Sequence, residues 1–397
     1  MKRFWPCSVC LPITVASGWS ARGGQTTNPY YPGADPCGSS SGSAVAAAIG
    51  LAAVTLGTET DGSIMCPSSK NNVVGIKPTV GWTSRTGVIP IAAHQDSVGP
   101  ITRSLTDAAI VLSIIASRDP SDNYTLAQPD VVPDFTKALN KNALKGKRIG
   151  VPRHVFLNAT LSGYDSSILV VYEQALQTMR ELGATVVDPA DLPSADEFVT
   201  NRKERLVLDV EFKAQVNQWF DSLIENPSGV RSLADLIKFN DANPELEEPV
   251  GFSDQNIFIE AEASNGFDAD YFEALAVDHD LGSTRGIDFV FNELNLDALV
   301  LPAGGLTPSI AAVVGYPIVT VPLGFFPDDV TIKQVGPQTV WPAPGAPFGL
   351  AFFGTAWSDF ELISYAYAFE QKTHTRLARK AFPAAIPKTQ LKDVIGK

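Results

Sequence analysis

The chain has 397 residues and a formal net charge of −13, and 45% of its residues are hydrophobic and 18% charged. A charged share below the roughly 25% of an average globular protein, with an ordinary apolar share, excludes an intrinsically disordered chain. The acidic balance argues against nucleic acid as the main partner, because binding to phosphates needs an excess of Lys and Arg on one face.

Cysteine spacing and the length of apolar runs argue against metal and membrane sites. Cys7 and Cys10 form a C-x-x-C pair, but no second pair follows at metal-ligand spacing, and four cysteines are too few for a disulfide scaffold. The longest near-apolar run, 44–56, is shorter than the roughly 20 residues that cross a bilayer. We therefore expect no metal, no cofactor and no transmembrane segment.

The first 16 residues imitate a secretory signal peptide. Lys2 and Arg3 precede an apolar stretch that ends in small residues, although two prolines interrupt it. Two N-x-S/T triplets, at 123–125 and 158–160, suit a secreted chain. This pattern favours secretion but does not establish the compartment.

Taken in chain order, the predicted elements indicate an α/β fold. A Pro/Gly/Ser-rich loop is predicted at 26–43, a buried Ala-rich helix at 42–56 and a second loop at 57–63. Strand, helix and strand at 147–152, 166–182 and 184–188 form a βαβ unit, which implies parallel pairing. Helices at 206–224 and 230–239, a solvated loop at 241–248, buried strands at 297–301, 318–322 and 348–353, and a closing helix at 361–378 complete the prediction. We expect one α/β domain with a mixed, largely parallel sheet, helices on both faces, and a helical insertion at about 190–290.

Two Gly/Ser loops flank the Ala-rich helix, and they contain the most informative residues. They are Cys37-Gly-Ser-Ser-Ser-Gly-Ser43 and Gly57-Thr-Glu-Thr-Asp-Gly-Ser-Ile64, which place Ser39 and Ser63 24 residues apart. Because a single helix separates the loops, their hydroxyl groups can converge at one sheet edge.

The second loop has the composition of an oxyanion-binding turn. A serine becomes a nucleophile only when a base removes its proton, and N–H groups in a tight turn can hold the oxyanion that forms. Gly62 permits the turn beside Ser63, and the N–H groups of Thr60, Asp61, Gly62 and Ser63 can face one pocket. A helix cap followed by a turn explains the same residues without chemistry. A phosphate-binding loop is disfavoured, because neither stretch matches a phosphate-loop or dinucleotide pattern.

Several long motifs resemble those of the amidase signature hydrolases, most closely the peptide amidases and their fungal relatives. The matching segments are 17–25, 36–43, 57–67, 75–79, 95–104, 315–317, 320–322 and 349–358. They are dense over about 17–118 and 295–375. The resemblance implies an amidase signature domain over 17–397, incomplete at its N-terminus, preceded by an unmatched segment at 1–16.

The resemblance implies a role for each matching site residue. Ser63 is the acyl-forming nucleophile, and Ser39 is a serine in a non-proline cis peptide that relays its proton. The turn from Thr60 to Ser63 supplies the oxyanion hole. The third family member is a buried, neutral lysine that acts as the base.

The family's lysine has no counterpart here, because it lies farther upstream of the cis-serine than the 38 residues that precede Ser39. Lys77 and Lys70 are the available substitutes. We expect a structural role for Lys77, which stands in a Gly-Ile-Lys-Pro-Thr motif that the family carries beside its catalytic lysine, and a solvated Lys70. The sequence thus predicts an N-terminally truncated serine amidohydrolase with impaired activity on a small-molecule or peptide amide. The alternative is a non-catalytic relative or fragment that binds amide-like ligands.

The remaining polar and aromatic residues receive structural interpretations. Asp96 and Arg103 are expected to form an internal ion pair or caps, and the four histidines have no spacing that supports a triad with Ser63. The sequence lacks a loop after 302–305 that peptide-amidase relatives carry at one wall of the cleft. The aromatic residues Trp341, Phe348, Phe352, Phe353 and Trp357 line either the core or an apolar cleft. No segment suited to an ammonia channel is identified, so a free-standing hydrolase is expected.

Overall fold

Eight strands form the central sheet of the protein, whose computed structural model describes residues 17–201, 203–252 and 255–389. In chain order the strands are β1 (Val54–Glu59), β2 (Val74–Lys77), β3 (Ser97–Thr102), β4 (Arg148–Gly150), β5 (Thr185–Val187), β6 (Ala298–Pro302), β7 (Ile318–Phe325) and β8 (Pro347–Phe353). Their order across the sheet is β1-β3-β2-β7-β8-β6-β4-β5. Two small ribbons, Trp19–Ser20 with Gly24–Gln25 and Gln334–Gly336 with Thr339–Val340, lie outside it.

The described helices are α1 (Ser41–Ala48), α2 (Met65–Lys70), α3 (Leu105–Ile115), α4 (Ala159–Ser162), α5 (Ser166–Glu181), α6 (Ala195–Thr200), α7 (Lys203–Asp221), α8 (Leu233–Ala242), α9 (Pro244–Glu247), α10 (Asn256–Glu262), α11 (Ala269–His279), α12 (Ile287–Leu294), α13 (Thr307–Ala312) and α14 (Asp359–Thr373). Among the described residues, no helix is long and apolar enough to cross a membrane. The expected loop at 241–248 instead contains the end of α8 and the short α9. The segment 1–16, with Cys7 and Cys10, lies outside the described residues.

The α/β class and the mixed sheet are confirmed, but fewer strand pairs are parallel than the sequence predicts. The predicted βαβ unit is present, with β4 parallel to both β5 and β6. The other five neighbouring pairs are antiparallel. Parallel neighbours need a crossover such as α5, whereas β7 and β8 are joined without an intervening helix and run in opposite directions.

The Ala-rich helix is shorter than predicted. It ends at Ala48, and Gly50 follows with a φ of +76°, a left-handed conformation that glycine adopts without steric cost. Residues 54–59, expected to belong to the helix and the following loop, instead form β1. Val54 and Thr55 are β-branched and favour a strand once the helix has ended. The serine loop therefore follows an edge strand directly.

The central strands are buried on both faces, because consecutive side chains alternate between two hydrophobic clusters. In β8, Leu350 and Phe352 pack on the side of α3, α5 and α14, whereas Ala351 and Phe353 pack on the side of α12 and α13. A period of two with apolar residues at every position is typical of a sheet covered on both sides. Strands fixed in this way provide a rigid frame for the loops at their ends.

Helices α6 to α12 occupy the chain between β5 and β6. Phe212 and Val216 of α7 pack with Phe258 of α10 in a separate apolar cluster. Ile91 and Ala92, from the loop before β3, belong to the same cluster. This contact joins the helical region to the loop before β3, whose first residue, Ser97, pairs with Glu59 at the end of β1.

Candidate active site

The first serine loop is held in an unusual backbone conformation just before α1. The Gly38–Ser39 peptide bond is cis, as the family resemblance implies for this serine. Cys37 has a φ of +58°, and its N–H donates to Asp35 Oδ1 over 2.8 Å. Ser40 Oγ donates to the Thr58 carbonyl oxygen over 3.1 Å. These contacts fix the loop against β1 on one side and against its own preceding residues on the other.

The second serine loop connects β1 to α2 within five residues. Gly62 has a φ of +76°, so the turn beside Ser63 depends on glycine. Glu59, the last residue of β1, accepts hydrogen bonds at Oε2 from the N–H groups of Ile64 over 2.7 Å and Met65 over 2.8 Å. One buried carboxylate therefore closes the turn that presents Ser63.

The two loops are in direct contact. The N–H of Ser40 donates to the carbonyl oxygen of Ser63 over 3.1 Å. Ser63 is 2% exposed, and its hydroxyl oxygen has no hydrogen-bond partner among the described residues. Ser39 is partly exposed. The hydroxyl oxygens of Ser68, Ser264, Thr320 and Thr339 share this property, so the position beside the Ser39 loop is what distinguishes Ser63. The contact between the two hydroxyl groups stays a prediction.

The turn residues before Ser63 are tied to two other parts of the fold. Thr60 Oγ1 donates to Asp96 Oδ1, and Ser309 Oγ donates to Asp61 Oδ2 over 2.7 Å. Asp96 also accepts the N–H groups of Ile91 and Ala92, so of the two expected roles it has that of a cap. These side-chain contacts connect the turn before Ser63 to the loop before β3 and to α13.

Lys77 is the buried last residue of β2. It is 1% exposed, and its Nζ donates to the Tyr316 carbonyl oxygen over 2.8 Å. Burial lowers the pKa of Lys77 to about 8, and the carboxylates of Glu59 and Asp359 oppose that shift. Burial likewise raises the pKa of Glu59, with Lys77 acting against it. Lys77 and Glu59 are thus two buried groups of opposite charge type that influence each other electrostatically, while the hydrogen bond of the Lys77 Nζ goes to a backbone carbonyl oxygen.

Lys70 is not solvated, contrary to the sequence-based expectation. Its Nζ lies 2.9 Å from Asp35 Oδ2 and 4.2 Å from the centroid of the Trp341 ring. Its side chain is 17% exposed. Asp35 and Trp341 are far from Lys70 in sequence, so the residues around Lys70 could not reveal these contacts. The ion pair of Lys70 with Asp35 connects the end of α2 to the segment before Ser39.

A disulfide bond between Cys37 and Cys66 was missed by the sequence reasoning. The usable signal was position, since each of these cysteines lies within three residues of a candidate serine. Four cysteines in a chain of this length gave no disulfide prediction, and their spacing indicated only the C-x-x-C pair. Within the described ranges, no group of three or more Cys, His, Asp and Glu side chains is placed to hold a metal ion.

Two of the four histidines pair with carboxylates, and three of the five aromatic residues lie in the core. His94 Nδ1 lies 2.9 Å from Glu211 Oε1, and His154 Nε2 lies 2.9 Å from Asp196 Oδ1. Phe348, Phe352 and Phe353 are buried in the core, whereas Trp341 and Trp357 are partly exposed. The loop difference expected after 302–305 stays a prediction; in that segment the Gly304 carbonyl oxygen accepts from the Tyr164 hydroxyl over 2.6 Å.

Comparison with known proteins agrees with this arrangement. The Amidase family matches residues 12–363. A putative amidase of Arthroderma benhamiae is 41% identical over 96% of this chain and 64% of its own length. The peptide amidase of Stenotrophomonas maltophilia superposes with a TM-score of 0.80 and 42% identity, covering 92% of this chain and 71% of that structure. Its counterpart PAM, in complex with the competitive inhibitor chymostatin, gives a TM-score of 0.79 and 42% identity, covering 92% and 72%.

The match, the fold and the paired serine loops define the class of protein: the chain belongs to the amidase signature family. Its structural neighbours include peptide amidases, and it spans about two thirds of the length of the curated relatives it matches.

Proposed function

We propose that the protein is a serine-type amidohydrolase that cleaves carboxylic or peptide amides through an acyl-enzyme on Ser63. The observation that carries this proposal is the buried Ser63 hydroxyl without a partner among the described residues, in a turn that contacts the Ser39 loop through the Ser40 N–H. A hydroxyl that is not engaged in another hydrogen bond is available to a substrate carbonyl.

In this mechanism the Ser63 oxygen attacks the amide carbonyl carbon while its proton passes to Ser39, which at the same time gives its own hydroxyl proton to a base. The oxyanion is stabilised by N–H groups of the turn formed by Thr60, Asp61, Gly62 and Ser63. The protonated base returns a proton through Ser39 to the departing nitrogen, the carbon–nitrogen bond breaks, and the nitrogen leaves as ammonia when the amide is primary. Water then hydrolyses the ester and frees Ser63.

The relay also needs a proton acceptor behind Ser39. Lys70 and Lys77, the lysines nearest to Ser63 in sequence, are both engaged, Lys70 with Asp35 and Lys77 with the Tyr316 carbonyl oxygen. We therefore expect the 397-residue chain to hydrolyse amides with a rate lowered by roughly 10²–10⁴, the usual contribution of a general base. The oxyanion turn accounts for the activity that remains.

The substrate class is proposed from the neighbours that are named peptide amidases. The test compares turnover of a C-terminally amidated dipeptide, a plain aliphatic amide and free glutamine, with and without chymostatin. We expect the amidated dipeptide to be preferred and chymostatin to compete with it. Preference for the aliphatic amide would correct the substrate alone, and preference for glutamine would overturn the peptide-amide assignment. Binding of amides without any turnover would favour the non-catalytic alternative.

A further inference from the structure

The Cys37–Cys66 disulfide joins the two serine loops covalently. Cys37 lies two residues before Ser39, and Cys66 lies three residues after Ser63. Their Cα atoms are 5.8 Å apart, within the usual range for a disulfide. The bond therefore fixes the separation of the two segments that carry the serines.

The backbone at Cys37 makes this bond more than a general cross-link. Its φ of +58° lies in the left-handed region, which is uncommon for a residue with a side chain. Apart from the disulfide, Asp35 Oδ1 accepts its N–H and Ser41 Oγ donates to its carbonyl oxygen. Without the disulfide, Cys37 gains freedom to leave this conformation, and the Gly38–Ser39 peptide that follows it would move as well.

The surrounding fold does not depend on the disulfide alone. Asp35 remains paired with Lys70 over 2.9 Å, and Asn71 Nδ2 donates to the Pro36 carbonyl oxygen over 2.8 Å. Both contacts connect the same two segments as the disulfide. Opening the bond is therefore expected to loosen the Ser39 loop while the sheet and helices stay folded.

We propose that the Cys37–Cys66 disulfide is a reducible link that positions Ser39 against Ser63, and that a dithiol reductant lowers activity by opening it. This inference rests on the proposed function for its effect on catalysis. The existence and the reduction of the link can be tested without it.

The exchange has a defined direction of attack. Cys66 is partly exposed, whereas Cys37 is 7% exposed, so a thiolate of the reductant attacks the Cys66 sulfur. The sulfur–sulfur bond breaks, a mixed disulfide forms on Cys66, and the Cys37 thiolate takes up a proton. The second thiol of the reductant then displaces Cys66, which also becomes a thiol. Two electrons pass to the protein, and the reductant leaves as its own disulfide.

The first experiment tests the link itself. The full chain carrying Cys7→Ser and Cys10→Ser is purified without reductant, alkylated under denaturing conditions and weighed by mass spectrometry. We expect no alkylated cysteine in the untreated protein and two alkylated cysteines after treatment with dithiothreitol. The far-ultraviolet circular dichroism of the native protein should be the same before and after reduction. Two free thiols in the untreated protein would overturn the proposal.

The second experiment tests positioning in the same background. We expect dithiothreitol to lower kcat, and the rate at which a fluorophosphonate labels Ser63, by about 10- to 100-fold, as a misplacement near 1 Å can. KM should change less than about threefold, and reoxidation should restore the rate. The Cys37→Ala/Cys66→Ala variant should be slow with or without dithiothreitol. An unchanged rate after complete reduction would refute the positioning role.

A Ser63→Ala arm and hydrogen exchange separate this proposal from the proposed function. Turnover or labelling that survives Ser63→Ala contradicts the nucleophile assignment but not the disulfide proposal. The same holds if the oxidised protein neither hydrolyses amides nor is labelled by the fluorophosphonate. In either case, hydrogen exchange still decides the positioning role. We expect faster exchange confined to 35–41 and 60–66 after reduction, and equal exchange in both states would overturn it.

Discussion

The Ser40 N–H donates to the Ser63 carbonyl oxygen over 3.1 Å, and so joins two loops that are separated in sequence by a helix and a strand. Through this bond the residue after the cis peptide touches the residue that carries the buried hydroxyl. Gly57 of β1 makes the approach possible, because a Cβ at that position would lie 2.7 Å from Ser40 Oγ. The candidate site thus depends on close backbone packing as much as on its hydroxyl groups.

The first prediction concerns the two serines. Ser63→Ala should abolish amide turnover and acyl labelling, and Ser39→Ala should lower kcat further, but by less than the roughly 10²–10⁴ of a complete relay, because neither Lys70 nor Lys77 is available as the acceptor behind it. Ser113→Ala is the matched control, since its hydroxyl only donates to the Ala109 carbonyl oxygen within α3. Steady-state kinetics on an amidated dipeptide would measure all three. Full activity in Ser39→Ala would exclude the relay.

The second prediction concerns the Glu59 carboxylate. Glu59→Gln replaces charge-assisted hydrogen bonds to the Ile64 and Met65 N–H groups by neutral ones, so we expect a loss of about 1–3 kcal/mol in the free energy of unfolding and a lower kcat. Glu370→Gln makes the same change at a carboxylate that accepts the Leu105 N–H. It should reduce stability without reducing turnover per folded molecule. Denaturant titration and kinetics distinguish the two, and equal effects on kcat would contradict the special place of Glu59.

The third prediction concerns Asp278 in α11, which is 3% exposed. Burial raises its pKa to about 7, against the opposing charges of His94 and Lys203. Between about pH 4 and pH 7 the folded state keeps a proton that the unfolded state has released, so this group makes stability fall as pH rises through that window. The loss is on the order of 4 kcal/mol.

Asp278→Asn should flatten that pH dependence, as measured by urea unfolding at several pH values. Asp270→Asn changes an exposed carboxylate on the same helix and should leave the dependence as it is in the parent protein. If Asp278 does not cause the decline in stability, both substitutions will leave the pH dependence equally unchanged. That result would contradict the prediction.

The fourth prediction concerns Lys70 as a possible base. Lys70→Met leaves the Asp35 carboxylate without its counter-charge and removes the contact with the Trp341 ring, so we expect clear destabilisation. Turnover per folded molecule, measured below the unfolding transition, should fall less than about threefold. Lys147→Met breaks the more exposed pair with Asp297 and should destabilise less. A drop of 100-fold or more in kcat for Lys70→Met alone would identify Lys70 as the base.

Sequence periodicity and spacing were sufficient for the elements whose signals are local. The βαβ unit around α5 was predicted to within a few residues, because its apolar residues recur at helical spacing between two short β-branched runs. The 24-residue interval between Ser39 and Ser63 likewise implied that their loops would meet. Both inferences depend on contacts between neighbours along the chain, which the order of residues specifies directly.

Only the tertiary structure decided how the strands outside the βαβ unit pair and in which direction, where Lys70 points, and that Cys37 reaches Cys66. Each of these depends on groups far apart in sequence, such as Asp35 with Lys70 or Thr60 with Asp96. The end of α1 at Ala48 follows the same logic, because an Ala-rich run favours a helix until Gly50 and the pairing of β1 with β3 outweigh that preference. Residue types in sequence order determined the candidate serines, and packing between remote segments determined which charges and bonds hold them in place.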